Sequence, residues 1–118
     1  IDKLKIPKFS FSITSPPYMA KKHKENPFTA YKTKGGGYKH YLRDMRTVYS
    51  KLAGVMKKNS KVVIEVSNIK SDGVTTLAWD IAAEVSQVLT FLGEIVVGWK
   101  DGYNYGYDHS YCLVFQKT

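Results

Sequence analysis

The chain has 118 residues, 43% hydrophobic and 24% charged, which is the composition of a globular protein and fits one domain over residues 1–118. Its one cysteine excludes an internal disulfide framework and a cysteine-rich zinc site. No apolar run is long enough to cross a bilayer, so we expect no membrane association and a cytoplasmic location. The net charge of +8 makes a polyanionic partner the first hypothesis.

The hydrophobic pattern predicts four strands and two helices. β-branched and apolar runs predict strands, and apolar residues spaced three and four apart predict helices. In chain order the elements are a strand at Phe9–Thr14, a helix at Tyr38–Lys58, a strand at Lys61–Val66, a helix from Thr75 or Thr76 to about Leu92, and strands at Glu94–Trp99 and Tyr111–Gln116. Asn59 is a candidate left-handed residue after the first helix, and Gly93 after the second. Alternating strands and helices indicate an α/β fold with a mostly parallel sheet, and the last two strands should pair antiparallel.

The basic residues are concentrated in one half of the chain. Residues 1–60 contain 14 Lys and Arg against 3 Asp and Glu, whereas residues 61–118 contain 4 against 7. Nucleic acid is the favoured partner, although a lysine-rich solubilising surface explains the charge about as well. The candidate phosphate contacts lie in or beside a long loop at residues 19–37, and they are Lys21, Lys22, Lys24, Lys32, Lys34 and Lys39.

Ligands of open α/β sheets bind beyond the carboxyl ends of the strands. Three segments are expected there: Ser15–Tyr18, Ser67–Asn68, and a loop with Tyr103, Tyr105 and Tyr107. Glu65 is either an edge-facing residue or a functional acid. The histidines His23, His40 and His109 have no metal-ligand spacing, and Cys112 is expected to be an inert core residue.

The Ser15-Pro16-Pro17-Tyr18 turn suits chemistry on an exocyclic amino group. The lone pair of such a nitrogen is delocalised into the ring, so the nitrogen is a poor nucleophile. The Ser15 hydroxyl and the Pro16 carbonyl could accept its two N–H bonds and free that lone pair, with carbonyl directions set in advance by proline. Tyr18 could stack on a base held outside the duplex.

The stretch Ile13-Thr14-Ser15-Pro16-Pro17-Tyr18 resembles the catalytic motif of amino-group DNA methyltransferases, and its Ser-first form most resembles the cytosine-N4 branch, although some adenine-N6 enzymes share it. The order of the following elements resembles that family over nearly the whole chain. The resemblance implies a partial Rossmann-like class I methyltransferase sheet made of strands four to seven. It also implies S-adenosylmethionine as cofactor, DNA as substrate and a restriction-modification setting. The catalytic residues would be Ser15, Pro16, Pro17 and Tyr18.

One family feature is absent from the sequence. The family binds S-adenosylmethionine at a Phe/Asp-x-Gly-x-Gly turn after a strand, and no predicted strand here is followed by one. The chain therefore resembles the catalytic half alone, with a second chain or a further segment supplying the cofactor half. Two alternatives stay open: a non-catalytic nucleic-acid-binding domain derived from this fold, and a methyltransferase acting on RNA or a protein amide.

The basic loop generates the first testable prediction. If four of its lysines contact phosphates of duplex DNA, the logarithm of the affinity should fall with the logarithm of the salt concentration with a slope of about −3.6. Replacing Lys21, Lys22 and Lys24 together with Ala should reduce that slope by up to about 3 and weaken all DNA sequences alike, because phosphate contacts carry no sequence information. If the triple variant keeps the wild-type salt slope in a DNA-binding titration, these lysines do not contact phosphate and the solubilising-surface interpretation holds for them.

Overall fold

The computed structural model describes residues 7–18, 37–70, 73–99 and 108–118. The elements in chain order are β1 (Phe9–Thr14), α1 (Tyr38–Gly54), β2 (Met56–Val66), α2 (Leu77–Val85), β3 (Thr90–Gly98) and β4 (His109–Gln116). The α/β class and the prediction for β1 are confirmed. In the described ranges, no helix is long and apolar enough to span a bilayer.

The four strands form one sheet in the order β1-β2-β4-β3. β1 pairs with β2 in parallel, and β4 pairs antiparallel with both β2 and β3. The antiparallel pairing of the last two strands is therefore as expected, and β1 lies at one edge of the described sheet. The expectation of mostly parallel pairing is wrong, because β4 inserts between β2 and β3 and leaves one parallel pair, although β1, β2 and β3 all point the same way.

The first helix is shorter than its apolar period predicts. It ends at Gly54, and Met56 already belongs to β2, where it pairs with Phe9. Lys57 and Lys58, expected in the last helical turn, lie in this strand instead. Asn59 does adopt the left-handed conformation, with φ of 66°, but inside an irregular stretch of β2 rather than after a helix. Pairing with β1 thus overrides the local helical preference of this segment.

The second helix is also shorter than predicted. It ends at Val85, and β3 begins at Thr90, so Leu92 is a strand residue. Gly93 has φ of 136° at a register shift between β3 and β4, a conformation that glycine adopts easily because it has no Cβ. It therefore lies inside a strand and not directly after a helix. The apolar spacing of residues 77–92 looks helical throughout because the residues after Val85, such as Leu89 and Leu92, are apolar as well, although they lie outside the helix.

Both helices pack on one face of the sheet and form the core there. Helix α1 contributes Tyr41, Met45 and Tyr49, and α2 contributes Leu77, Ala78, Ile81 and Val85. The sheet contributes alternate residues of its two central strands, namely Val62, Ile64, Val66, Leu113 and Phe115. Burial of these side chains is the main source of stability for the described fold.

The opposite face of the sheet is not covered by any described helix. We call it the open face. Its apolar residues, which alternate with the core positions, are Phe11, Ile13, Val63, Ile95, Val97, Cys112 and Val114, and its polar residues at the two ends are Lys61, Glu65, Ser110 and Gln116. Ile13 and Ile95 are 63% and 60% exposed. Exposed apolar patches of this size are typical of interaction surfaces in general.

The two faces generate a matched pair of isoleucine substitutions. Ile64→Ala empties a fully buried site and should lower the free energy of unfolding by about 2–5 kcal/mol. Ile95→Ala removes the same atoms from the open face and should cost less than about 1 kcal/mol. Urea unfolding of both variants measures the difference. Equal costs would show that the open face is covered in solution.

Candidate active site at the carboxyl ends of the strands

The predicted rim segments meet at one end of the sheet. Ser15–Tyr18 follows the carboxyl end of β1, and Ser67 and Asn68 follow that of the neighbouring strand β2. Because β4 runs antiparallel to β2, its first residues, His109 and Ser110, lie at the same end. The parallel pairing of β1 and β2 is the cause of this juxtaposition, which brings residues far apart in sequence, such as Ser15 and Glu65, into contact.

Glu65 links the first residue of the Ser-Pro-Pro-Tyr turn to β4. The Ser15 hydroxyl donates to its Oε1 at 3.2 Å, and the Ser110 hydroxyl donates to its Oε2 at 3.3 Å. Ser110 is buried, whereas Ser15 is exposed. With its own hydrogen directed to Glu65, the Ser15 oxygen presents lone pairs to a donor outside the protein.

Tyr18 is anchored at the end of β2 through its hydroxyl. The backbone N–H of Ser67 donates to the Tyr18 oxygen at 2.9 Å, and the Ser67 hydroxyl donates to the carbonyl of His109 at 3.0 Å. Through these two hydrogen bonds the buried Ser67 connects the turn after β1 to the start of β4. Tyr18 itself stays 38% exposed.

Helix α1 holds the middle of the turn. The Tyr41 hydroxyl donates to the Pro17 carbonyl at 2.6 Å, and the Tyr41 side chain is fully buried. Burial raises the pKa of the Tyr41 phenol well above its ordinary value, with further contributions from Tyr18 and Tyr49. The hydroxyl therefore keeps its hydrogen and acts as a permanent donor to the turn.

The remaining predicted site residues divide into two groups. Lys39 lies exposed on the first turn of α1. The other candidate phosphate contacts and the tyrosine loop lie outside the described residues; they are Lys21, Lys22, Lys24, Lys32, Lys34, Tyr103, Tyr105 and Tyr107. Within the ranges that the structure covers, no group of three His, Cys, Asp or Glu could hold a metal ion.

Cys112 is not the core residue that its apolar strand suggests. It pairs with Glu65 across β2 and β4 and lies half-buried on the open face. Burial and the nearby Glu65 carboxylate raise the pKa of its thiol, so the thiol stays protonated and poorly nucleophilic. Its position therefore differs from the expected one, and its lack of reactivity stays a prediction.

The partners of the turn were only partly visible in the sequence. Glu65 stood out as a carboxylate in an apolar strand, and Ser67 as a rim residue. Tyr41 and Ser110 carried no signal, because one belongs to a regular helical stripe and the other to a strand end. The hydrogen bonds that join these residues to the turn depend on sheet pairing and on the packing of α1.

Comparison with known proteins identifies the fold. No protein-family model and no curated protein sequence matches the chain. Crystal structures of TTHA0409, a candidate DNA modification methylase from Thermus thermophilus, match 95% of it with TM-scores of 0.67–0.68 and identities of 17–20%. One of them is a complex with S-adenosyl-L-methionine. The chain thus has the fold of part of this methylase and spans about half of its length, 47–48%.

The described strand ends do not fit a cofactor-binding turn. β1 is followed by Ser15 and two prolines, β2 by Ser67 and Asn68, and β3 by Trp99, with no glycine-rich turn at these positions. Ser67 is engaged with Tyr18 and His109, and the Asn68 side chain accepts the backbone N–H of Ala78 at 2.8 Å. The described residues at this rim therefore provide no glycine-rich turn for S-adenosylmethionine.

The anchoring of the turn leads to a prediction for Tyr41→Phe. This variant removes the donor to Pro17, so Tyr18 should detach from Ser67 more often, and amide exchange of Ser67 should accelerate by about 2- to 10-fold. Tyr49→Phe is the matched control, because it removes a hydroxyl from the same buried face about two turns along α1. An unchanged Ser67 exchange rate in Tyr41→Phe would show that the turn holds its position without α1.

Proposed function

We propose that this chain is the acceptor-activating half of a DNA methyltransferase that methylates an exocyclic amino group, cytosine N4 in preference to adenine N6. The observation that carries the proposal is the Ser15 hydroxyl, fixed by Glu65 at the exposed end of β1 within a Ser-Pro-Pro-Tyr turn. The likeness of the fold to a candidate DNA modification methylase supports it. We assign the four strands to strands four to seven of the methyltransferase sheet.

The two carbonyls of the proline pair have separate tasks in this proposal. The Pro17 carbonyl accepts the Tyr41 hydroxyl and so serves the structure of the turn. The Ser15 oxygen and the Pro16 carbonyl are then the acceptors for the two N–H bonds of the target amino group. Holding both hydrogens in this way draws the nitrogen toward tetrahedral geometry and localises its lone pair.

Glu65 gives the amino group a route for its proton. The nitrogen must lose one proton over the reaction, and the Ser15 hydroxyl next to it already donates to Glu65 at 3.2 Å. The proton can pass to the Ser15 oxygen as the Ser15 hydrogen moves to Glu65. Ser110 holds the other carboxylate oxygen and keeps the carboxylate aligned.

Tyr18 is assigned to the target base. Its hydroxyl is held by Ser67, which fixes the ring at the rim while part of the side chain stays exposed. A base turned out of the duplex could stack there, and the lysine-rich half of the chain would contact the DNA backbone.

The cofactor half is assigned to polypeptide outside this chain. β1 is an edge strand of the described sheet, and the open face beside it is apolar. The neighbours of the same fold are about twice as long. We propose that the other half adds to β1, covers the open face and supplies the S-adenosylmethionine site, which would also exclude water from Glu65.

The test is a methyl-transfer assay with the native polypeptide or assembly that contains residues 1–118. S-adenosylmethionine and DNA should yield N4-methylcytosine after nuclease digestion and mass spectrometry, and Ser15→Ala should lower the rate by about 100-fold or more. Glu65→Gln keeps the shape but removes the charge, and it should lower the rate without weakening DNA binding.

Three other results would change the proposal. N6-methyladenine as the product would replace the preferred base. A Ser15→Ala variant with the wild-type rate would remove the turn from catalysis. DNA binding with no transfer would favour the non-catalytic domain. As a control, chain 1–118 alone should bind S-adenosylmethionine more weakly than about 1 mM, or about 4 kcal/mol.

A further inference from the structure

An aromatic group at the rim is not used by the proposed reaction. It consists of Trp79, His109 and Tyr111, which we call the rim cluster. The Trp79 and Tyr111 rings are tilted with centroids 4.7 Å apart, and His109 meets Tyr111 edge-on at 5.2 Å. Trp79 is 45% exposed, although it lies on the first turn of α2 beside buried residues.

The rim cluster is held rigidly. The two ring nitrogens of His109 are bonded, Nδ1 to the Asp108 carboxylate and Nε2 to the Tyr111 hydroxyl at 3.0 Å. The hydrogen bond with His109 is the main cause of the lowered pKa of Asp108. On the other side, Asn68 fixes the start of α2 by accepting the Ala78 N–H. A platform that is already ordered loses little entropy when a ligand stacks on it.

The rim cluster is connected to the candidate active site through Ser67. This residue donates its backbone N–H to Tyr18 and its hydroxyl to the carbonyl of His109. Tyr18 and the rim cluster are therefore separated by one residue at the end of β2.

The chemistry of Trp79 favours a flat ring over phosphate. Its indole carries no charge, lies exposed against the Tyr111 ring, and is followed along α2 by the acidic Asp80. An exposed aromatic face of this kind suits the flat ring of a nucleobase. Base–aromatic stacking also tolerates any base sequence.

We propose that the rim cluster is a stacking site for an unpaired base of DNA, next to the base held at Tyr18. The site rests on the proposed function for its substrate, and it adds a second contact on the nucleic acid. It contributes affinity for single-stranded or opened DNA and contributes nothing to phosphate binding.

The test uses intrinsic fluorescence and an oligothymidylate of about 12 nucleotides, a length within the range that single-strand-binding grooves cover. The chain has two tryptophans, so Trp99→Phe leaves Trp79 as the sole reporter. Binding of the oligonucleotide should quench Trp79 emission. Affinities are compared by the anisotropy of a fluorescently labelled oligothymidylate, because the variants at position 79 contain no tryptophan in this background. Adding Trp79→Leu, which keeps apolar bulk but removes the aromatic face, should weaken binding by about 5- to 100-fold, whereas Trp79→Phe should retain most of the affinity. The salt dependence should be the same in all three, because no phosphate contact is lost.

Duplex DNA of the same length provides the second arm. A paired base cannot stack on Trp79, so Trp79→Leu should leave duplex affinity unchanged. The site is overturned if Trp79→Leu binds oligothymidylate as tightly as its parent, if emission does not change on binding, or if single-stranded and duplex affinity fall equally. These outcomes leave the Ser15 methyl-transfer assay untouched, so failure of the stacking site and failure of the proposed function are distinguishable.

Discussion

The hydrogen bonds of Glu65 depend on one constraint, the placement of β2 between a parallel strand and an antiparallel one. The parallel partner β1 ends where β2 ends, which puts Ser15 beside one carboxylate oxygen. The antiparallel partner β4 begins at that level, which puts Ser110 beside the other. If β4 ran parallel to β2, its carboxyl end would lie beside the Oε2 atom of Glu65. Ser110, at the start of β4, would then be at the other end of the sheet and could not donate to that atom.

The same strand order separates the two faces of the sheet by chemistry. Alternate residues of β2 and β4 point to the helices and are fully buried, and Ile64 is one of them. The residues between them, such as Cys112, form the open face, and Glu65 lies on this face near the carboxyl end of β2. The candidate active site is thus continuous with the open face. In the proposed assembly, the polypeptide that covers this face would also limit the access of water to Glu65, which would strengthen the electrostatic effect of its carboxylate.

The turn after β1 is held from three directions. Glu65 takes the Ser15 hydroxyl, Ser67 binds the Tyr18 oxygen, and Tyr41 binds the Pro17 carbonyl. Two prolines already restrict this segment, so three further bonds leave it little freedom. In the proposed reaction, a turn held in this way would need no reorganisation when the amino group is activated.

Much of the fold and of the candidate site could be predicted from the sequence. The strand at Phe9–Thr14 is marked by prolines at its end, the α/β class follows from alternating periods, and the Ser-Pro-Pro-Tyr turn is recognisable as a motif because its residues are adjacent. Tertiary structure decided what depends on distant residues. The first helix ends at Gly54 rather than Lys58 because Met56 pairs with Phe9. Thr76 is the residue before α2, but its side chain does not cap the helix. The backbone N–H of Ala78 donates instead to the side chain of Asn68. The hydrogen-bond partners of Glu65, Ser15 and Ser110, could not be predicted, because hydrogen-bond partners in a sheet are set by strand order and register, which local sequence patterns do not encode.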